Sequence, residues 1–206
     1  MKLEARGLGK CINKNNWLFQ HVDLTLHSGK IIGLQGPSGC GKSSLCRLIA
    51  GMEAPTQGSV LLDGRPLQKR GYQPIQFVFQ HPERAVNPRW RVRSIVSEGW
   101  MPDDELLESL HIDRSWLDRW PSELSGGQLQ RICIARALCP QTKFLIADEM
   151  TTMLDAITQA SIWKTVLDIA SERHMGLLVV SHDRHLLNRI CNQVIDFHSI
   201  SHTSVS

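Results

Sequence analysis

Gly36-Pro37-Ser38-Gly39-Cys40-Gly41-Lys42-Ser43 decides how this chain of 206 residues is read. The spacing fits G-x-x-x-x-G-K-[ST]. By average residue usage that pattern arises by chance in about one chain in a hundred, so its context matters. The context agrees. The octapeptide follows Ile31-Ile32-Gly33-Leu34, an apolar run of buried-strand type, and opens a helical pattern from 42 to about 51. Its glycines let backbone N–H groups wrap a phosphate chain, and the helix N-terminus adds partial positive charge. Lys42 can reach β- and γ-phosphates, and the Ser43 hydroxyl can ligate Mg2+. The candidate nucleotide-binding residues here are Gly36, Pro37, Ser38, Gly39, Cys40, Gly41, Lys42, Ser43 and Ser44.

Upstream, residues 1–35 read as strands, and Val22-Asp23-Leu24-Thr25-Leu26 alternates as a half-buried strand should. Downstream, Gly58-Ser59-Val60-Leu61-Leu62-Asp63-Gly64 and Ile75-Gln76-Phe77-Val78-Phe79 read as strands. The character then changes. Residues 81–102 carry Pro82, Pro88, Pro102, several Arg, Trp90 and Trp100. Residues 103–120 look helical, with Leu106, Leu107 and Leu110 on one side. Residues 126–138 and 157–173 form two further helix patterns, and Phe144-Leu145-Ile146-Ala147 and Leu177-Leu178-Val179-Val180 form buried strands. Strands alternating with helices predict an α/β fold with a mostly parallel sheet. Residues 1–80 and 125–206 would form its core, and residues 81–124 a helical insertion.

Two further segments carry chemistry. The strand at 144–147 ends in Asp148-Glu149, which places two acids at the sheet edge where open α/β folds bind ligands. Asp148 suits a Mg2+-side role and Glu149 can orient and polarise an attacking water. Leu124-Ser125-Gly126-Gly127-Gln128 precedes a helix and offers a second N-terminus with free N–H groups and a serine hydroxyl, another phosphate-binding device.

Composition excludes several classes. At 42% hydrophobic and 21% charged residues the chain is globular in character, not disordered. No apolar run approaches the roughly 18 residues of a membrane span, and no signal peptide is read at the start. A net charge of +3 without a basic tract does not point to nucleic acid. Six cysteines (Cys11, Cys40, Cys46, Cys133, Cys139, Cys191) without a CxxC pair, set in apolar patterns, predict reduced, buried thiols. The histidines His198 and His202 near the end are not read as a metal site, since two imidazoles on a polar terminus hold a metal poorly.

The segments at 36–43, 124–128 and 144–149, together with Val180-Ser181-His182-Asp183, occur in the order of the ATP-binding-cassette (ABC) ATPases, which the chain resembles over nearly its whole length. Gln80, after the strand 75–79, matches that family's Q-loop. The resemblance implies a P-loop NTPase cassette with a parallel core sheet, an N-terminal antiparallel β subdomain and an inserted helical subdomain. It implies an ATPase using ATP and Mg2+, with Lys42, Gln80, Glu149 and His182 as catalytic residues and Ser43, Gln80 and Asp148 at the metal. It implies a head-to-tail pair, in which ATP lies between Lys42 of one cassette and the Ser125, Gly126, Gly127, Gln128 segment of a second ATPase subunit, with Asp155 nearby. His182 would contact the γ-phosphate. Integral membrane permease subunits would be partners, at the cytoplasmic face of the inner membrane, with no nucleic acid and no direct contact with cargo.

Within the family, Asn87-Pro88-Arg89 and its spacing from Gln80 look like the dipeptide, oligopeptide and nickel importer ATPases. Peptide-importing members often carry a C-terminal extension, and this chain ends soon after His182, which leans the reading toward nickel or a metal chelate. The alternatives are a peptide importer ATPase and an inactive ATP-binding half of a heterodimer. A soluble cassette ATPase of DNA repair or translation usually needs a coiled-coil insert or two cassettes. Two departures stand out. Glu149-Met150-Thr151-Thr152-Met153-Leu154-Asp155 replaces the family's Glu-Pro-Thr-Ser-Ala-Leu-Asp. The aromatic expected near Lys10-Cys11-Ile12 to stack on adenine is missing, so either Trp17 reaches the base or an apolar contact replaces stacking. Trp116 and Trp120 are expected in the core of the insert, and Trp90, between Arg89 and Arg91, as an exposed docking anchor for the permease.

Overall fold

The alternation at residues 22–26 belongs to a longer strand. In the computed structural model, which describes residues 1–13, 16–68 and 71–201, β1 (Lys2–Asn13) pairs antiparallel with β2 (Asn16–His27). Val22, Leu24 and Leu26 are buried while His21, Asp23, Thr25 and His27 face solvent, the period-two pattern of a sheet covered on one side. After β3 (Ile31–Gln35) and α1 (Lys42–Ile49), β4 (Gln57–Leu62) and β5 (Arg65–Pro66) complete an antiparallel sheet in the order β2-β1-β4-β5.

The second sheet is parallel. β6 (Ile75–Val78), β7 (Phe144–Asp148), β8 (Gly176–Val180) and β9 (Gln193–Asp196) join β3 in the order β6-β7-β8-β3-β9. Every residue of β7 and β8 is buried, as parallel strands covered on both faces must be. Their side chains divide by parity. Phe144, Ile146, Leu178 and Val180 join α1 and the antiparallel sheet in one core, and Leu145, Ala147, Leu177 and Val179 face a second core. That second core holds α4 (Gly126–Ala137) and α5 (Ala156–Glu172).

Between β6 and α4 lie α2 (Val92–Val96), α3 (Asp104–Ser109) and single 3-10 turns at Pro82–Arg84, Arg114–Trp116 and Pro121–Glu123. The helical span expected over 103–120 is therefore corrected to one short helix and one turn. α3 stops because His111 turns left-handed (φ 52), with its N–H on Glu108 O and that of Ile112 on Leu107 O, a closed helix end normally built on glycine. Trp116 is buried as expected, but Trp120 is 37% exposed. It begins a surface turn, and its ring carries the Arg91 guanidinium at 4.1 Å. That stacking provides for an aromatic outside the core. After β8, α6 (Arg184–Ile190) and α7 (Phe197–Ile200) flank β9.

All six cysteines are unpaired; Cys46, Cys133 and Cys139 are buried, and Cys11, Cys40 and Cys191 are half-buried, so burial holds for three of the six. No helix among the described residues is long and apolar enough to cross a membrane, and these residues hold no cluster of three His, Cys, Asp or Glu placed for a metal. His198 lies in the first turn of the last helix, and His202 lies outside the described residues.

Candidate functional site

The register of the parallel sheet assembles the site. Asp148 of β7 pairs with Val180 of β8, which pairs with Leu34 of β3. The residues that follow these three emerge side by side at the C-terminal edge: Glu149, then Ser181 and His182, then Gln35 and the phosphate loop. Gln80 leaves the neighbouring β6 two residues after Val78. A cavity of about 460 Å³ opens there, walled by Leu18, Ser38, Gly39, Gly41, Lys42, Ser43, Ser44, Gln80, Glu149 and His182. The edge of an open α/β sheet is where such ligand sites form.

The loop geometry needs its glycines. Gly41 has φ 112, and a Cβ there would lie 2.9 Å from Phe19 and 3.1 Å from Leu18. Gly36 has φ 156, and a Cβ there would lie 3.1 Å from Phe197 and 3.2 Å from the Cys40 sulfur. Lys42 is buried at the start of α1, and its Nζ donates to Gly36 O and Pro37 O, both at 2.8 Å. Asp148 is buried beneath Ser43. Burial pushes its carboxyl pKa up, the charge of Glu149 adds to this, and a hydrogen bond with Ser43 opposes it.

Three side chains converge at the far wall. Gln80 Nε2 donates to Glu149 Oε2 at 2.7 Å, and His182 Nε2 lies 2.8 Å from Glu149 Oε1. Glu149 itself adopts a left-handed backbone (φ 51). Such conformations cost about 1–3 kcal/mol in a non-glycine residue and cluster at functional sites. Behind Gln80, buried Gln130 of α4 donates to Phe79 O at 2.9 Å and so ties the second glycine-rich helix to the exit of β6.

Ser125, Gly126, Gly127, Gln128 and Asp155 are not among the residues lining this cavity. Ser125 caps α4 in a capping box with Gln128, at 3.2 Å and 2.9 Å. Asp155 caps α5, accepting from the N–H groups of Ile157 and Thr158. Backbone and side-chain donors there hold its pKa below the usual range. The loop between Glu149 and Asp155 crosses the α4 glycines: a Cβ on Gly126 would lie 3.3 Å from Met153 Sδ, and one on Gly127 would lie 3.0 Å from Leu154.

Neither Trp17 nor Ile12 lines the cavity. Ile12 is 58% exposed, and the Trp17 ring crosses Gly9, where a Cβ would sit 2.9 Å away. Leu18, next to Trp17 in β2, forms the wall in their place, an apolar contact that the sequence signals only by an aliphatic residue beside the aromatic one. Gln130 was also missed, and its signal is a polar residue on the inward side of an otherwise apolar helix face.

A P-loop at the edge of a parallel sheet, faced by a glutamate, a glutamine and a histidine, defines an ATP-binding-cassette ATPase. The sequence profile of the ABC transporter family matches residues 19–152, and the chain belongs to that family. It is 39% identical to the nickel import ATP-binding protein NikE of Escherichia coli over 197 aligned positions, covering 86% of this chain and 74% of the relative. The protein of the same name from Shigella dysenteriae matches equally. Among solved structures, the dimeric post-hydrolysis state of the ATP-binding cassette MJ0796, bound to ADP and Pi, superposes with a TM-score of 0.81 at 25% identity over 94% of this chain and 93% of that one. A Pyrococcus furiosus protein described as a putative ABC transporter ATP-binding protein shares the fold at a TM-score of 0.78 and 21% identity, over 98% and 100% of the two chains.

Proposed function

We propose that this chain is the ATP-hydrolysing subunit of an importer whose cargo is nickel or a metal chelate, working through separate permease subunits. The observation that carries hydrolysis is the convergence of Gln80, Glu149 and His182 on the cavity walled by the phosphate loop. The nickel reading is supported by the 39% identity to nickel import ATP-binding proteins.

In this reading Ser38, Gly39, Gly41 and the α1 N-terminus bind the phosphates through backbone N–H groups. Lys42 exchanges its carbonyl partners for β- and γ-phosphate oxygens. Glu149 orients a water for in-line attack at the γ-phosphorus, and its carboxylate takes the proton as the bond to ADP breaks. His182 holds a γ-phosphate oxygen. Mg2+ when bound neutralises charge developing on the phosphates. The residues present fit that ion. A hydroxyl (Ser43), a buried carboxylate (Asp148) and an amide oxygen (Gln80) are the hard donors magnesium prefers.

Because Ser125–Gln128 stands apart from the cavity of its own chain, we assign it to a second cassette's nucleotide in a head-to-tail pair, with Asp155 and Met153 beside the same contact. Residues 1–80 and 125–206 act as the nucleotide-binding core. Residues 81–124 act as the helical subdomain, and its loop carrying Trp90 (41% exposed) docks the permease at the cytoplasmic face of the membrane. The deciding experiment is cargo uptake. Deleting the gene should abolish accumulation of radioactive nickel at trace concentrations, and the parent chain, but not Lys42→Ala, should restore it. Unchanged nickel uptake with lost peptide uptake would move the cargo to peptides.

A further inference from the structure

Trp163 lies outside the nucleotide cavity, in the first half of α5, and is only 3% exposed. A buried indole N–H needs a partner, and here it donates to Thr151 Oγ1 at 3.1 Å. Thr151 is equally buried and stands two residues after Glu149. The other polar contacts of this loop run within it or to its ends. Thr152 donates through N–H and hydroxyl to Glu149 O, Leu154 N–H donates to Thr151 O, and Asp155 caps α5. The Trp163–Thr151 bond instead fastens the middle of the loop to the body of α5.

A second cavity, of about 250 Å³, shares Glu149 and His182 with the first and runs along the loop, with Met150, Thr151, Thr152 and Trp163 among its walls. A loop that borders open space can move into it, and a left-handed glutamate gives it reason to relax. The indole blocks that movement at Thr151. We propose that Trp163 and Thr151 are positioning residues. Their buried bond braces the loop so that the Glu149 carboxylate stays at the γ-phosphate end of the nucleotide cavity. This rests on the reading of Glu149 as the group that orients water.

Trp163→Phe keeps an aromatic ring, though a smaller one, and removes the donor, and Thr151→Val keeps the shape and removes the acceptor. The assay uses the full chain together with the subunits that co-purify with it, alongside Glu149→Gln. Each single variant should lower kcat about 10- to 100-fold, the scale of a misplaced catalytic group, with KM for ATP within about twofold. The double variant should be no slower than the slower single one, and Thr151→Ser should keep kcat. If Glu149→Gln is inactive while Trp163→Phe and Thr151→Val keep the parental kcat, the brace is wrong and the role of Glu149 stands. If Glu149→Gln itself turns over at the parental rate, both ideas fall. If kcat, KM and thermal midpoint deteriorate together and Thr151→Ser deteriorates with them, the pair serves packing alone and the proposal is overturned.

Discussion

Gln80 and Glu149, 69 residues apart in the chain, meet through a 2.7 Å hydrogen bond from the amide to the carboxylate. The bond leaves Glu149's second oxygen to His182 and points both partners at the phosphate loop. Glu149→Gln should therefore keep ATP affinity and lose turnover by about 10²–10⁴, the usual contribution of a positioned base. ATP should then trap a closed pair, visible by size-exclusion chromatography. Hydrolysis at the parental rate would remove Glu149 from the chemistry.

Ser125 caps α4 and sits apart from its own chain's nucleotide cavity. Ser125→Arg should leave Mg-ATP binding to the single chain within about twofold. Losing the cap costs the fold about 1 kcal/mol, while a bulky side chain at the α4 N-terminus should abolish ATP-dependent pairing. Equilibrium binding with a fluorescent nucleotide and light scattering separate the two effects. Equal loss of both would argue against a site shared between two cassettes.

Trp90 is exposed, whereas its neighbour Trp120 already holds Arg91 on its face. Trp90→Ala should weaken association with the permease by roughly 30- to 1,000-fold, the range of a truncated aromatic hot spot. Co-purification from membranes measures this, and the thermal midpoint together with the near-UV circular dichroism of the remaining tryptophans, Trp100, Trp116 and Trp120 among them, reports whether the insert is still folded. Undiminished co-purification would place docking elsewhere.

Two thiols, buried Cys133 and half-buried Cys191, make stability fall in alkali. Burial pushes Cys133 from the ordinary 9.0 to about 11, with Glu83 adding a little and Arg136 opposing, and burial pushes Cys191 to about 11 as well. A folded pKa above the unfolded one means the folded chain holds more protons between the two values. Stability is thus intact below about pH 9 and is lost as pH rises toward 11. For Cys133 the full loss is about 2–3 kcal/mol. Cys133→Ala should flatten the decline in thermal midpoint between pH 9 and 11 relative to its own value at pH 7. A decline as steep as the parent's would deny Cys133 a part.

What the residues disclosed, and what they hid, follows from the physics of each signal. The phosphate loop, the acids closing β7 and the α4 cap were legible because each is a local device with a fixed spacing. The break after α3 was hidden because the left-handed residue is His111, where a glycine would have announced it. α5 closes the same way on His174, again without glycine, and there only the amphipathic period marked its end. Trp120 was misplaced because hydrophobicity alone does not tell a core aromatic from one whose face is covered by an arginine. Leu18 is marked only by its place beside Trp17, and nothing local marks the bond from Trp163 back to Thr151.

The four strands β6, β7, β8 and β3 each deliver one part of the machinery from the same edge. Their spacing is then that of the hydrogen-bonded sheet, about 4.8 Å from strand to strand. Removing a single residue from any of them would draw its group back about 3.3 Å and turn its neighbours to the opposite face. The segment from Pro82 to Leu124 adds no strand to that order, and although its apolar side chains share a core with β7 and β8, its exposed face can change without altering the spacing. If the insert docks the permease as proposed, a change of partner would be written on that exposed face, while the distances that govern hydrolysis stay ruled by the sheet.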